Sequence, residues 1–241
     1  MSTEKSVELA LRDLVIANRI LAREGVLDAF GHVSIRHPTE AGRYFMARSR
    51  APELVSREDL IEFNLDSSPI NQNGRAMYAE RQIHGCIYQL RPEVMAVCHN
   101  HAHSLVPFGV TGSLIKPIFH MASVIGEEVP IWDIREEFGD TNLLVTDAPK
   151  GLALARSLGA RRAALMRGHG SVVVGQTLRQ AVFTAIYLQQ NAELILRARE
   201  LGPITYLSPG EVKAASDLLF QPLSQDRSWE YWATRAGFSG I

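Results

Sequence analysis

Residues 94–103 read Val-Met-Ala-Val-Cys-His-Asn-His-Ala-His. The apolar, β-branched opening predicts a strand over Val94–Cys98. Side chains alternate along a strand, so His99 and His101 project to one face at its end while Asn100 points away. Two imidazoles so placed can share one metal ion. They can equally be polar edge residues satisfied by backbone carbonyls, and the spacing alone does not choose.

On the N-terminal side, Glu80 opens a segment with Ile83, Ile87 and Leu90 on one face, closed by Arg91-Pro92, which predicts a helix of about three turns. The helix dipole favours an ionised carboxylate in the first turn, as ligand or as base. A solvated first-turn Glu is the plain alternative, and His84 is a rival ligand one turn later. On the C-terminal side, His169 stands between Gly168 and Gly170, in a tight turn between the expected strands Ala163–Met166 and Val172–Val174. Glycine neighbours let the backbone bend sharply and a third imidazole enter a cleft. Three His ligands leave a divalent ion open to substrate, and an N3O set accepts Zn, Mn, Fe or Co.

The rest of the chain alternates helix and strand. Ser6–Glu24 has helical apolar spacing and ends at Gly25; Gly31–Arg36 and Arg43–Arg48 read as a hairpin; Ser67–Gly74 is a loop. A Pro- and Gly-broken stretch, 107–117, precedes an expected helix near Phe119–Ile125 and strands near Val129–Trp132 and Leu143–Val145. Lys150–Leu158 and Leu178–Leu201 read as helices. Ser208-Pro209-Gly210-Glu211 carries a capping box and opens the last helix, followed by a tail with Trp229, Tyr231 and Trp232. This interleaving predicts an α/β layered fold, read as one domain over residues 1–241 with the C-terminal helix and aromatic tail at about 208–241.

The 241 residues are 46% apolar and 21% charged, with 25 Lys+Arg against 26 Asp+Glu. That composition excludes a disordered chain, and the charge balance gives no reason to expect nucleic acid or an anionic membrane as partner. No window holds eighteen uncharged apolar residues, and no signal-peptide pattern opens the chain, so a cytoplasmic protein is expected. Cys86 and Cys98 have no paired spacing and read as buried thiols. Small molecules are the expected partners.

Ala79-Glu80 ahead of a helix, His99-Asn-His101, Gly168-His-Gly170, Gly31-x-x-Ser34 and Tyr88-x-x-x-Pro92, in this order, resemble the class II aldolase/adducin family over most of the chain. The resemblance implies a three-layer α/β/α sandwich around a mostly antiparallel central sheet, and a homotetramer with the active site between subunits. It also implies His99, His101 and His169 as metal ligands, with Glu80 as displaceable fourth ligand and acid/base. His84 then becomes a helix-packing residue, and His120 falls where the family's aldolases carry a Tyr that a neighbouring subunit supplies as proton donor.

Departures from the family's sugar-phosphate pattern point to the substrate. His32 replaces an Asn, Ser49-Arg50-Ala51 lies near a Ser/Thr-Gly turn, and Tyr78-Ala79 stands where a Ser pair binds phosphate. Arg50 suits a carboxylate and Tyr78 a planar ring; as a plain surface arginine, Arg50 would carry no such role. The motifs Asp28–Ser34, Ser49–Pro52, Met166–Gly170 and Tyr206–Pro209 look most like the family's decarboxylase branch. The resemblance thus implies a metal-dependent carbon–carbon lyase, a decarboxylase of a hydroxylated aromatic or heteroaromatic carboxylate working through an enolate that the cation stabilises. Glu80 and His120 are the expected catalytic residues, and His32, Ser34, Ser49, Arg50 and Tyr78 the substrate-binding ones. The alternatives are an aldolase or epimerase on a hydroxy-carbonyl or sugar-derived substrate, a non-catalytic adducin-like scaffold, and a ligand-binding protein whose histidines are ordinary core residues.

Overall fold

A computed structural model describes residues 3–240. Helix α1 (Thr3–Arg23) buries Leu11, Leu14, Val15, Ile20 and Leu21 on one face and is followed by Gly25 at φ 72°. Left-handed backbone suits glycine, and it turns the chain into the hairpin of β1 (His32–Arg36) and β2 (Arg43–Ala47). Strand β3 (Leu60–Asn64), not expected from the sequence, pairs antiparallel with β2. A 3-10 turn over Ala79–Arg81 runs into α2 (Gln82–Leu90), and then comes β4 (Ala96–Asn100).

The Pro- and Gly-broken stretch contains a short helix, α3 (Val106–Thr111), and His120–Ile125 is 3-10 rather than α-helical. Strand β5 (Ile131–Trp132) is followed by α4 (Ile134–Phe138), α5 (Ala148–Leu158), β6 (Ala163–Met166), β7 (Gly170–Gly175) and α6 (Leu178–Leu201). The expected strand at Leu143–Val145 is not formed. Leu143 stands at φ 67°, outside the extended region, and side chains of the candidate site described below bond the Leu143 carbonyl and the Val145 amide.

The capping box at Ser208 opens α7 (Pro209–Leu219), which is not the last helix: the aromatic tail forms α8 (Pro222–Arg235). Trp229 and Trp232 are buried on this same chain, with the Trp232 ring edge-on to Phe183 at 5.5 Å. The two tryptophans therefore need no neighbouring subunit for burial, while Tyr231 stays exposed. Residues 1, 2 and 241 lie outside the described residues.

The seven strands form one sheet in the order β3-β2-β1-β4-β7-β6-β5. Every neighbouring pair is antiparallel except β5 and β6. Helices α1, α6 and α8 pack together over β1, β4 and β7, while α2, α4 and α5 form a second group over β4, β5 and β6. This is the three-layer α/β/α sandwich that the resemblance implies. Among the described residues no helix is long and apolar enough to cross a membrane.

Strand β4 lies between β1 and β7, with His99 opposite His32 on one side and Val172 on the other. Glycine makes this close packing possible where the strands end. A Cβ on Gly170 would stand 2.0 Å from the Asn100 carbonyl oxygen, and one on Gly31 3.1 Å from that of His99. The β6–β7 turn, with Gly168 at φ 67°, thus sits directly against the end of β4.

Candidate active site

The ends of β4 and of the β6–β7 turn meet the 3-10 turn before α2 at one point. Ligand atoms of Glu80, His99, His101 and His169 all lie within 4.8 Å of one another. The Nε2 atoms of His99 and His101 are 3.1 Å apart, and Glu80 Oε2 is 3.6 Å from His99 Nε2 and 3.4 Å from His169 Nε2. Sheet register brings the first pair together, and a contact 65 residues away in sequence fixes the carboxylate: the Val145 N–H donates to Glu80 Oε1 at 2.8 Å.

Each imidazole is oriented through its other nitrogen. His99 Nδ1 faces the Ser171 carbonyl and His169 Nδ1 the Leu143 carbonyl, each at 3.1 Å, while His101 Nδ1 faces the Asp28 carboxylate at 3.1 Å. These partners are acceptors, so each Nδ1 carries the proton and each Nε2 turns a lone pair inward. Three inward lone pairs and a carboxylate oxygen form a donor set complementary to a cation, and its three-imidazole, one-carboxylate chemistry fits a divalent metal.

Electrostatics follow from this enclosure. Burial works to raise the Glu80 carboxyl, but the inward positions that fit a cation also attract the carboxylate whenever His169 or His99 carries a proton there, and this holds the group well below the usual carboxylate range. The ionised form thus owes more to the imidazoles than to a helix dipole, because Glu80 sits in the 3-10 turn at φ −93°, ψ 20°. Burial, then repulsion from His84 and His99, pushes His32 well below its ordinary value. His84, fully buried, is pushed down to about 3. It is no part of the cluster.

The expected substrate residues divide into two groups. His32 and Tyr78 border the cluster: their ring centroids are 4.5 Å apart, and His32 is 5.1 Å from the His99 ring. The Tyr78 hydroxyl donates to the Arg50 carbonyl, tying that wall to the Ser49–Arg50 loop, where Ser49 is exposed. Arg50 is half-buried and its guanidinium lies 3.3 Å from Asp59, which also receives Arg48 at 2.6 Å. Ser34 is fully buried, its hydroxyl is committed to His84 and Tyr88, and it lies beneath the wall. His120 is exposed at the start of its 3-10 turn and has no contact with the cluster among the described residues.

Asp28 and three backbone groups, the Ser171 and Leu143 carbonyls and the Val145 amide, escaped the sequence reading. The Asp28 carboxylate accepts the N–H groups of Phe30 and Gly31 as well as facing His101, and the Asp-x-x-Gly turn pattern was its available signal. The three backbone groups have no sequence signature. A concavity of about 320 Å³, lined by Asp28, His101, His103, Gln189 and Glu193 among others, adjoins the cluster. A larger concavity, about 690 Å³, lies at the other end of β6, by Arg161, Arg162 and Lys213.

An α/β/α sandwich with three imidazoles and a carboxylate gathered at the strand ends defines a class of enzyme. The sequence signature of the Class II Aldolase and Adducin N-terminal domain matches residues 12–196, and the chain belongs to the class II aldolase/adducin family. Decarboxylase tropJ of Talaromyces stipitatus is 34% identical, with 97% of this chain and 96% of that protein aligned. A 3,4-dihydroxyphthalate decarboxylase of Terrabacter sp. is 26% identical, over 95% of this chain and 98% of that protein. Among solved structures, L-fuculose 1-phosphate aldolase from Glaciozyma antarctica PI12 superposes with a TM-score of 0.78 at 23% identity, covering 98% of this chain and 91% of that one. An aldolase II superfamily protein from Pseudomonas syringae gives 0.79 at 17% identity, covering 96% and 93%. These two likenesses establish the fold.

Proposed function

We propose that this chain is a metal-dependent carbon–carbon lyase that decarboxylates a hydroxylated aromatic or heteroaromatic carboxylate. The observation that carries the reading is the convergence of the His99, His101 and His169 Nε2 atoms with Glu80 Oε2, each held from behind by a fixed hydrogen bond. The decarboxylase relatives, aligned along nearly the whole chain, favour this branch over the aldolases.

His99, His101, His169 and Glu80 would hold a divalent ion, which supplies stabilisation for negative charge developing on a substrate oxygen conjugated to the breaking bond. In the reaction the ring–carboxylate bond breaks, CO2 leaves, and the electron pair stays on the ring carbon until a proton takes its place. Glu80, ionised and anchored through Oε1, accepts the substrate hydroxyl proton at Oε2 and returns one to the ring. His120, supplied by a neighbouring copy in a cytoplasmic homotetramer, is the second candidate donor. His32 and Arg50 orient the carboxylate and Tyr78 lies against the ring, while Ser49 lends a hydroxyl at the loop. Ser34 acts only from beneath.

Carbon-13 NMR of the Zn- or Mn-loaded protein with carboxyl-labelled ortho-hydroxy aromatic acids, 3,4-dihydroxyphthalate among them, tests the reading. Labelled CO2 and bicarbonate are the expected products. Aldehyde or ketone fragments from hydroxy-carbonyl compounds would replace it with an aldolase, and silence across both sets would favour a non-catalytic scaffold.

A further inference from the structure

Beneath the cluster, four buried side chains form one hydrogen-bonded line. His32 Nδ1 is 2.7 Å from His84 Nε2, His84 Nδ1 is 2.6 Å from Ser34 Oγ, and Ser34 Oγ is 2.8 Å from the Tyr88 hydroxyl. None of the four residues is more than 2% exposed. Two elements supply them: β1 carries His32 and Ser34, and α2 carries His84 and Tyr88.

With neutral imidazoles and one proton in each link three arrangements exist; the one in which Ser34 accepts from both His84 and Tyr88 leaves the Ser34 O–H itself without an acceptor, and two remain. In one, His32 donates from Nδ1 and every proton points toward Tyr88, whose own O–H must then find an acceptor. None lies within hydrogen-bond distance among the described residues, where the partner of the Tyr88 hydroxyl is Ser34 Oγ. A buried hydroxyl left without an acceptor is costly. In the other, Tyr88 donates to Ser34, Ser34 to His84 Nδ1, and His84 Nε2 to His32 Nδ1, and every donor is satisfied.

We infer that the Tyr88–Ser34–His84 line fixes His32 as its Nε2–H tautomer, so that His32 offers the substrate pocket a neutral hydrogen-bond donor selective for an oxygen acceptor. His32 stands opposite His99 in the β1–β4 register, and its Nε2 has no protein partner among the described residues. A neutral N–H binds a carboxylate or phenolate oxygen without giving up its proton. This subsite therefore holds the leaving carboxylate or the ring oxygen and takes no part in protonating the ring. The substrate half of the inference rests on the decarboxylase reading; the tautomer does not.

Nitrogen-15 NMR of histidine-labelled, Zn-loaded protein reads the tautomer directly, with His32 assigned from the signals lost in His32→Gln. The expected spectrum has His32 and His84 both protonated at Nε2 and bare at Nδ1, and Ser34→Ala, which cuts the line at its middle, brings a second His32 tautomer into view. Protonation of His32 at Nδ1 in the wild-type protein would overturn the inference, as would an unchanged His32 spectrum in Ser34→Ala. For the substrate contact, His32→Leu should lower kcat/KM for 3,4-dihydroxyphthalate by about 10- to 100-fold, the range for a lost hydrogen bond to a charged group. His32→Gln, which keeps an N–H donor, should recover most of that loss. Equal kcat/KM in wild type and His32→Leu would remove the donor role while leaving the decarboxylase standing. If the wild-type protein releases no CO2, addition of the same acid should still shift the His32 Nε2–H signal, and no shift would overturn the contact.

Discussion

The Leu143 carbonyl oxygen stands 3.1 Å from His169 Nδ1, on a residue whose backbone is left-handed at φ 67°. A bulky residue there costs about 1–3 kcal/mol, held in place by the surrounding structure. Two residues later the same loop gives its Val145 N–H to Glu80. One loop therefore sets both the tautomer of a candidate ligand and the direction of the carboxylate.

Leu143→Gly and Leu143→Pro separate backbone shape from side chain. Glycine adopts this φ freely, whereas proline, locked near −65°, cannot, and it also loses the N–H bonded to Thr141. Metal affinity, read by competition with a chromogenic chelator, should stay within a few-fold for Gly and fall about 10- to 100-fold for Pro. Equal affinities would show that His169 is oriented without this carbonyl.

Gly170→Ala should destabilise the whole sheet. The new Cβ would lie 2.0 Å from the backbone oxygen of Asn100, an atom that cannot swing aside. Overpacking of this kind costs about 1–3 kcal/mol, a fall of roughly 2–12 °C in Tm for a protein of this size. An unchanged melting curve would mean that the strand ends yield more easily than the packing implies.

Glu80→Gln keeps an Oε1 acceptor for the Val145 N–H but removes the charge. Metal content should persist, because three imidazoles remain, while CO2 release falls by about 100-fold or more, in line with loss of a general acid–base. Turnover at the wild-type rate would remove Glu80 from proton transfer.

Chelation should lower Tm, and titrating the ion back should raise it progressively, because an ion that binds only the folded chain stabilises it by about 2.7 kcal/mol at one hundred times its Kd. Calorimetry at several Zn concentrations gives the answer. A Tm independent of the ion would remove the folded-state metal site.

Asp59 should dominate the acid side of the stability profile in its region. Burial works to raise its carboxyl, but the Ser56 N–H, Arg48, the Ser56 hydroxyl and Arg50 together hold it below the usual range. A depressed folded pKa stabilises the protein at pH values above the unfolded Asp value near 3.9, and that contribution drains away as pH falls below it. Asp59→Asn should cost about 1–3 kcal/mol at pH 7, the range for breaking buried bonds to a charge. Urea unfolding should show the gap from wild type narrowing by pH 3.

Much of the layering was readable because periodicity survives in isolation: α1, α6 and the capping box of α7 follow from apolar spacing and local caps. Strand β3 escaped because Leu60–Asn64 is short, and its pairing with β2 becomes visible only once the hairpin exists. The loop at 143–145 was misread for the opposite reason. Its apolar residues suit a strand, but its polar backbone atoms are claimed by His169 and Glu80. The Asp28 contribution is a third kind of omission, since a short turn residue carries no mark of the imidazole it faces.

By itself, the sequence determined the residue types at the centre. His-x-His follows an apolar run and His169 lies between glycines, and local backbone geometry turns His99 and His101 to one side in any strand. Tertiary structure alone decided that these imidazoles meet Glu80, that each Nδ1 finds an acceptor, and that Ser34 is linked to His32 through His84. Those outcomes depend on register across β1, β4 and β7 and on one loop folding back over the site. They join atoms far apart along the chain, where no local preference can act and only the packed sheet and helices set the distances.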